Sequence, residues 1–248
     1  MTISTMTRLA CMAVLGGCAF AQGAAAADLE TKAPVYKAAP VEAWSPWQIR
    51  VRALGVIPDA HGSTVNVTGA PALSSPNSGL SINNQVVPEL DISYYFTPNI
   101  AAELILGVTK HHVTATGALA GLDVGKAWLL PPTLTLQYHF TNFGAFQPYV
   151  GVGVNYTWFF SQSASNLLTP AGQPAAGLTT TAFSLKSAPG AVLQAGFDYM
   201  IDRHWGLNLD VKKVFLRADY TATVSGIAVN GRANIDPWLV GGGVTYRF

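Results

Sequence analysis

Gln147-Pro148-Tyr149-Val150-Gly151-Val152-Gly153-Val154-Asn155-Tyr156-Thr157-Trp158-Phe159-Phe160 is the stretch that decides the fold. In an extended chain successive side chains point to opposite faces, so Val150, Val152, Val154, Tyr156 and Trp158 share one side and Gly151, Gly153, Asn155 and Thr157 the other. The period of two predicts a strand with one apolar and one polar or small face.

The same pattern recurs outward in both directions. Toward the C-terminus, Ala188 to Tyr199 sets Leu193, Ala195, Phe197 and Tyr199 against Gln194, Gly196 and Asp198. The next strand sets Trp205, Leu207, Leu209 and Val211 against Asn208, Asp210 and Lys212. The terminal strand, Trp238 to Phe248, puts Val240, Val244, Tyr246 and Phe248 opposite Thr245 and Arg247. Toward the N-terminus, Trp128 to Phe140 carries Leu130, Leu134, Leu136 and Tyr138 against Thr133, Thr135, Gln137 and His139. The strand before it, from Ile100, carries Ala102, Leu104, Leu106 and Val108 against Glu103, Ile105 and Thr109. Val86 to Phe96 and Trp47 to Ile57 complete a set of eight, each near the ten or so residues that a tilted membrane strand requires. Pro88, Pro131 and Pro132 interrupt the pattern and predict weak register or a bulge there. Links after the second, fourth and sixth strands are short, whereas Pro58 to Gln85 and Ser161 to Ser187 are long. That asymmetry is the one transmembrane barrels show between periplasmic turns and external loops. The fold expected is all-β, an eight-stranded antiparallel transmembrane β-barrel over 47–248. Alternation alone does not separate it from a soluble ligand-carrying barrel, which turns its apolar face inward.

Composition leans toward lipid. The 248-residue chain is 50% hydrophobic and 11% charged, against about 25% charged in an ordinary soluble domain. Past the N-terminal segment no apolar run reaches the ~20 residues of a membrane helix. A formal net charge of +1 with scattered Lys and Arg argues against nucleic acid as a partner. Residues 1–27 have the order of a secretory signal peptide: Arg8, an apolar stretch from Leu9 to Phe20, then small residues through Ala27. Cleavage after Ala27 would remove Cys11 and Cys18 and leave no cysteine. Leu15-Gly16-Gly17-Cys18 is similar to a lipobox, a rival in which Cys18 would become an acylated N-terminus. Residues 28–46, rich in Ala and Pro, are expected to form a periplasmic lead-in.

Several segments together resemble the OmpW family of small outer-membrane barrels. They are Trp47-Gln48-Ile49-Arg50-Val51-Arg52, Pro98-Asn99-Ile100-Ala101-Ala102-Glu103-Leu104, Leu134-Thr135-Leu136-Gln137-Tyr138-His139-Phe140, Gln147-Pro148-Tyr149-Val150-Gly151-Val152-Gly153 and the terminal strand. The resemblance implies an eight-stranded barrel with a hydrophobic lumen that takes up small hydrophobic molecules across the outer membrane. A strand ending in Phe248 with Tyr246 two residues before it is similar to the signal read by the barrel-assembly machinery, an implied partner beside outer-membrane lipid and a small hydrophobic solute.

If the first strand rises from the periplasm, Arg50, Arg52, Glu89, Asp91, Glu103, Gln137, His139, Asp198, Asn208, Asp210 and Arg247 point inward in the lower half. Opposite charges in so narrow a barrel are expected to pair and plug it. Leu54, Val56, Ile105, Leu129, Phe159, Val214 and Leu216 point inward above them and are expected to line an apolar vestibule. A hydrophobic solute would leave such a vestibule sideways into lipid. Plain core packing of the same residues is the alternative.

Two other classes remain open. A barrel enzyme acting on lipid would need a general base, and His111, His112, His139 and His204 are the candidates, none with a Ser or Asp partner by spacing. Tandem His111-His112 lacks further metal ligands in register. A structural or adhesive barrel would work through its long loops. No phosphate loop or dinucleotide fingerprint occurs, and no cofactor, metal or catalytic residue is expected.

Overall fold

A computed structural model describes residues 45–120, 123–164, 166–168 and 174–248. The signal peptide expected over 1–27, Cys18 within it, and all of the lead-in except Ser45 and Pro46 lie outside the described residues.

The strands are β1 (Trp47–Ile57), β2 (Asn66–Val67), β3 (Ser78–Ile82), β4 (Gln85–Tyr95) and β5 (Ile100–Gly107). They continue as β6 (Thr109–Gly117), β7 (Asp123–Leu130), β8 (Thr133–His139), β9 (Phe146–Ala164) and β10 (Asn166–Leu168). The chain ends with β11 (Pro174–Leu185), β12 (Ala188–Met200), β13 (Trp205–Val224), β14 (Ile227–Asn234) and β15 (Trp238–Arg247).

Eight of them, β1, β4, β5, β8, β9, β12, β13 and β15, pair antiparallel in that order. The ring closes where β15 returns to β1, from Gln48↔Arg247 to Ile57↔Trp238. Closure leaves no unpaired edge, the condition for strands to cross lipid. Tight turns join β4 to β5, β8 to β9 and β12 to β13 at one end, called the lower end here. Thr97 Oγ1 accepts the Ile100 amide there at 3.0 Å, and Asn99 Nδ2 donates to the His139 carbonyl at 2.8 Å. In the third turn the amides of Trp205 and His204 donate to Asp202 and hold its carboxyl below the usual range.

The period of two is expressed inside out. Val154 is 64% exposed while its neighbour Asn155 is 4% exposed, and the same contrast runs around the ring. At about 25 cal/mol per Å², such a belt of Val, Leu and aromatic side chains is unfavourable in water and favourable in hydrocarbon, which excludes the soluble alternative. Trp47, Tyr94, Phe96, Tyr138, Phe140, Tyr199, Trp205 and Phe248 ring the lower end, several in edge-to-face pairs such as Trp47 with Tyr94 at 4.9 Å.

Two expectations need correction. The segments taken as long loops, 58–85 and 161–187, carry wall strands: β3 within the first pairs with β6, although most of 58–77 is not strand, and β11 within the second pairs with β13. Likewise β14 pairs with β13 and β2. The strand expected over Trp128 to Phe140 is two strands, β7 and β8, split at Pro131-Pro132 because neither proline has an N–H to donate.

The closing seam depends on Gly243. A Cβ there would collide with the Val51 carbonyl oxygen and come within 2.7 Å of Arg52 Cα, whereas at Gly242 the nearest atom is 3.8 Å away. Gly243→Val is expected to destabilise the barrel by about 1–3 kcal/mol through overpacking. Gly242→Ala should change stability by less than about 0.5 kcal/mol. Urea unfolding of barrels folded in lipid vesicles measures both.

Candidate functional site

On β1, β4, β5 and β13 the inward residues change character at one height, whereas β8 and β9 carry Thr133, Asn155 and Thr157 inward above it. On β1 the inward series is Gln48, Arg50, Arg52, then Leu54 and Val56. On β13 it is Asn208, Asp210, Lys212, then Val214, Leu216, Ala218 and Tyr220. β4 switches between Glu89 and Val87, and β5 between Glu103 and Ile105. The registers bring these switch points level: Arg52 faces Glu89 and Gly243, and Leu54 faces Val87 and Gly241.

Below the switch a polar cluster fills the lumen. Arg50 forks onto Asp198, with Nε to Oδ1 at 3.1 Å and Nη2 to Oδ2 at 2.6 Å, the bidentate geometry in which guanidinium–carboxylate pairs are strongest. Its Nη1 donates to Glu103 at 3.0 Å and Ser93 at 3.1 Å. Arg52 lies between Asp91 at 2.7 Å, Glu89 at 2.9 Å and Glu103 at 3.1 Å, and donates to Asn208 at 2.9 Å. Lys212 Nζ bridges Asp210 at 2.6 Å and Glu89 at 3.0 Å. Neutral groups complete the network: Gln137 and Gln194 donate to Glu103, and Tyr149 donates to Asp210. His139 joins through Gln137 Oε1 at 2.9 Å. Arg247 stands apart, half-buried at the lower mouth, donating to Gln48 and Tyr95 rather than to a carboxylate.

Above the switch the lumen is a chain of three apolar cavities. The lowest, about 70 Å³, is lined by Leu54, Val56, Ile105, Leu129, Val214 and Leu216, with Glu89 and Lys212 at its floor. The middle one, about 30 Å³, is bounded by Phe159, Phe183, Tyr220 and His111. The uppermost, about 110 Å³, is bounded by Val65, Val67, Ala222 and Val229. Neighbouring cavities share lining residues, His111, Leu129 and Ile235 between the lower two and Leu80, Val124 and Tyr220 between the upper two. The middle compartment is the smallest of the three, and Phe159 lines it.

The wall beside the lowest cavity lacks part of its ladder. β5 and β8 pair only up to Ile105↔Thr133, and β6 and β7 resume at Thr109↔Leu129. Pro131 and Pro132 occupy the gap. Their carbonyls accept instead from Asn155 and Tyr156 of β9. On the other flank β4 and β5 pair only up to Glu89↔Gly107, just below Pro88. Gly107, Val108, Thr109 and Pro131 all line the cavity, and Val108 is 44% exposed on the outside.

The structure therefore brings together the expected polar residues, except that Arg247 stands below the cluster, and the expected apolar residues of the vestibule. It adds Lys212, Gln48, Ser93, Tyr149, Gln194 and Thr245 to the polar set. Parity alone placed Lys212 inward, but its bridging role appears only once the register sets Glu89 near Asp210. The histidines form no common site. His111 is held by Thr109 Oγ1 and the Asn83 carbonyl, and His204 Nδ1 lies 2.7 Å from the Arg247 carbonyl. His111 and His112, as neighbours on one strand, face opposite sides of the wall and cannot share a metal.

A model of the OmpW family matches residues 46–248. An uncharacterized outer-membrane protein, y4mB, from Sinorhizobium fredii is 52% identical over 243 residues, covering 97% of this chain and 96% of the relative. Outer membrane protein W of Escherichia coli is 32% identical over 191 residues, covering 76% of this chain and 86% of the relative. Among solved structures, the outer membrane protein OprG of Pseudomonas aeruginosa superimposes with a TM-score of 0.72 at 27% identity, over 83% of this chain and 97% of that one.

Arg50→Leu would leave Asp198 and Glu103 buried beside an apolar side chain. Removing one partner of a buried pair typically costs 3–5 kcal/mol, so the variant should lose about that much stability in urea unfolding from vesicles.

Proposed function

The chain belongs to the OmpW family of outer-membrane β-barrel proteins, and from that membership we propose that it admits small hydrophobic molecules at its outer end and releases them sideways into the membrane. The observation that carries this reading is the apolar cavity standing directly on the polar cluster, at the height where prolines interrupt the wall.

Straight passage is opposed by the cluster. An apolar solute moving downward would have to part ion pairs whose separation costs several kcal/mol each, and it would offer them nothing in return. The same solute gains about 4 kcal/mol by burying about 150 Å² of apolar surface in the upper lumen. It keeps that gain by moving laterally past Val108 and Pro131, where no backbone hydrogen bonds need to break. Each step of the lateral route exchanges one apolar surrounding for another, and the hydrocarbon outside receives the solute.

Phe159 acts as the narrowing through which the solute passes, and Tyr220, Phe183 and His111 set its width. The lower polar cluster plugs the barrel against ions and water, so uptake of apolar compounds does not open a leak. A barrel working only through external loops is less well supported, because most described residues of 161–187, and β3 within 58–85, form wall strands around the apolar lumen.

The test is uptake into liposomes carrying the purified protein, comparing a small apolar fluorophore with a charged solute of similar size. Wild type should admit the apolar probe selectively, and Phe159→Asp should cut that rate at least about tenfold, since an unpaired carboxylate in an apolar site costs several kcal/mol. Equal rates for the two solutes, or an unchanged rate in the variant, would refute the reading.

A further inference from the structure

Among the described residues, the cations outside the polar cluster and above the lower turns are Lys110, Lys126, Lys186, Lys213, Arg217 and Arg232. All six sit on the outer wall, five of them at or above the exposed Trp128 and Phe215 and Lys213 level with Trp238, one outward position below Phe215. Lys110 lies over Trp128 at 5.4 Å and Lys213 over Trp238 at 5.0 Å.

Three of the six converge. Asp219 pairs across the sheet with Arg232 of β14, and its carbonyl accepts the amide of Lys186 just after β11. Arg217 lies two residues below Asp219 on the same outward face. Lys186, Arg217 and Arg232 line one exposed groove with Asp219, Thr221 and Asn234. The only carboxylate in that lining, Asp219, takes Arg232 Nε at 3.0 Å and leaves the groove with a surplus of positive charge. Nearby Asp236 is engaged elsewhere, accepting the Leu216 amide through Oδ1. Neither Lys186 nor Arg217 has a carboxylate partner among the described residues.

Height identifies the occupant. The outward face of β13 runs Trp205, Leu207, Leu209, Val211, Lys213, Phe215, Arg217 and Asp219. From Trp205 at the lower aromatic ring to Phe215 is ten residues, about 33 Å at ~3.3 Å each. A tilt of about 40° turns this into about 25 Å of height, the thickness of a barrel's apolar band. Arg217 is the first outward position beyond Phe215, at the level of lipid headgroups rather than of solvent-borne macromolecules. Guanidinium forks and ammonium groups at that level match the oxygens of a phosphate.

We propose that Lys186, Arg217 and Arg232 form a docking groove for the phosphate of an outer-leaflet lipid headgroup, whose acyl chains lie along Phe215 and the apolar belt below. The groove opens on the outer wall, and Tyr220 behind it also bounds the two upper luminal cavities. A tightly held lipid there would anchor the barrel's height in the membrane.

Full-length protein folded in nanodiscs with a bisphosphorylated lipid A, or with its dephosphorylated form, followed by native mass spectrometry, reads how much lipid stays bound. Retention of the phosphorylated lipid should exceed that of the dephosphorylated one at least tenfold. It should fall about fivefold for each cation removed, in the order Arg232→Gln, then Arg217→Gln and Lys186→Gln added. Lys110→Gln with Lys126→Gln, removing the same kind of charge elsewhere on the belt, should leave retention within about twofold. Asp219→Asn, which frees Arg232 and removes the competing carboxylate, should raise retention and tests the groove even if the triple variant does not fold. Equal retention of the two lipids, equal losses from the Lys110/Lys126 pair, or no rise in Asp219→Asn would overturn the proposal.

Discussion

Everything in this molecule depends on the ladder between β1 and β15. A strand in hydrocarbon has no water to satisfy its amides and carbonyls, so a sheet can remain there only if it has no edge. The closing pair runs from Gln48↔Arg247 to Ile57↔Trp238 and requires the first and last strands to approach closely enough that Gly243 has no room for a side chain. Once the ring closes, its circumference is fixed at eight strands, and the interior becomes just wide enough for side chains to fill. Inward residues then decide where the lumen is closed and where it is open.

In that confined space the two halves of the lumen follow opposite rules. Long charged side chains reach across the lower half and satisfy one another, with Arg52 near carboxylates from β4, β5 and β13 at once. Shorter branched side chains in the upper half pack into one apolar cluster but leave small cavities between them. The prolines matter because they interrupt the ladder at the height of this transition, leaving the cavity separated from lipid by side chains such as Val108 rather than by a continuous hydrogen-bonded wall. A polar floor, an apolar chamber and a weakened side wall thus follow from residue type at matched register.

The eight membrane strands were legible in the sequence because lipid outside and polar groups inside give a clean alternation, as in Val150 to Trp158. The upper strands were not, because above the lipid the alternation reverses. On β13 the outward residues become Arg217, Asp219 and Thr221 while Ala218, Tyr220 and Ala222 turn inward. A search for apolar residues facing out stops at that height, and so β11 was read as part of a long loop while β14 and most of β6 fell outside the eight assigned strands. Leu54, Ile105 and Phe159, set inward by parity, line the upper lumen. Partnerships needed the register: Asp198 meets Arg50 across 148 positions of sequence, and no local pattern encodes that. Pro88 and Pro131-Pro132 were visible as breaks, but their common height beside one cavity emerges only from the sheet.

The most direct test of the account follows the solute itself. A small apolar diazirine, added to vesicles in which the upper end of the barrel faces outward and then photolysed, marks the residues it visits, and mass spectrometry of the digested protein reads them. The account predicts labels in the upper lumen around Phe159 and Leu129 and at the wall break around Val108 and Pro131, with none on Gln48, His139 or Gln147. Labels through the polar cluster to the lower mouth, with the wall break unmarked, would contradict it.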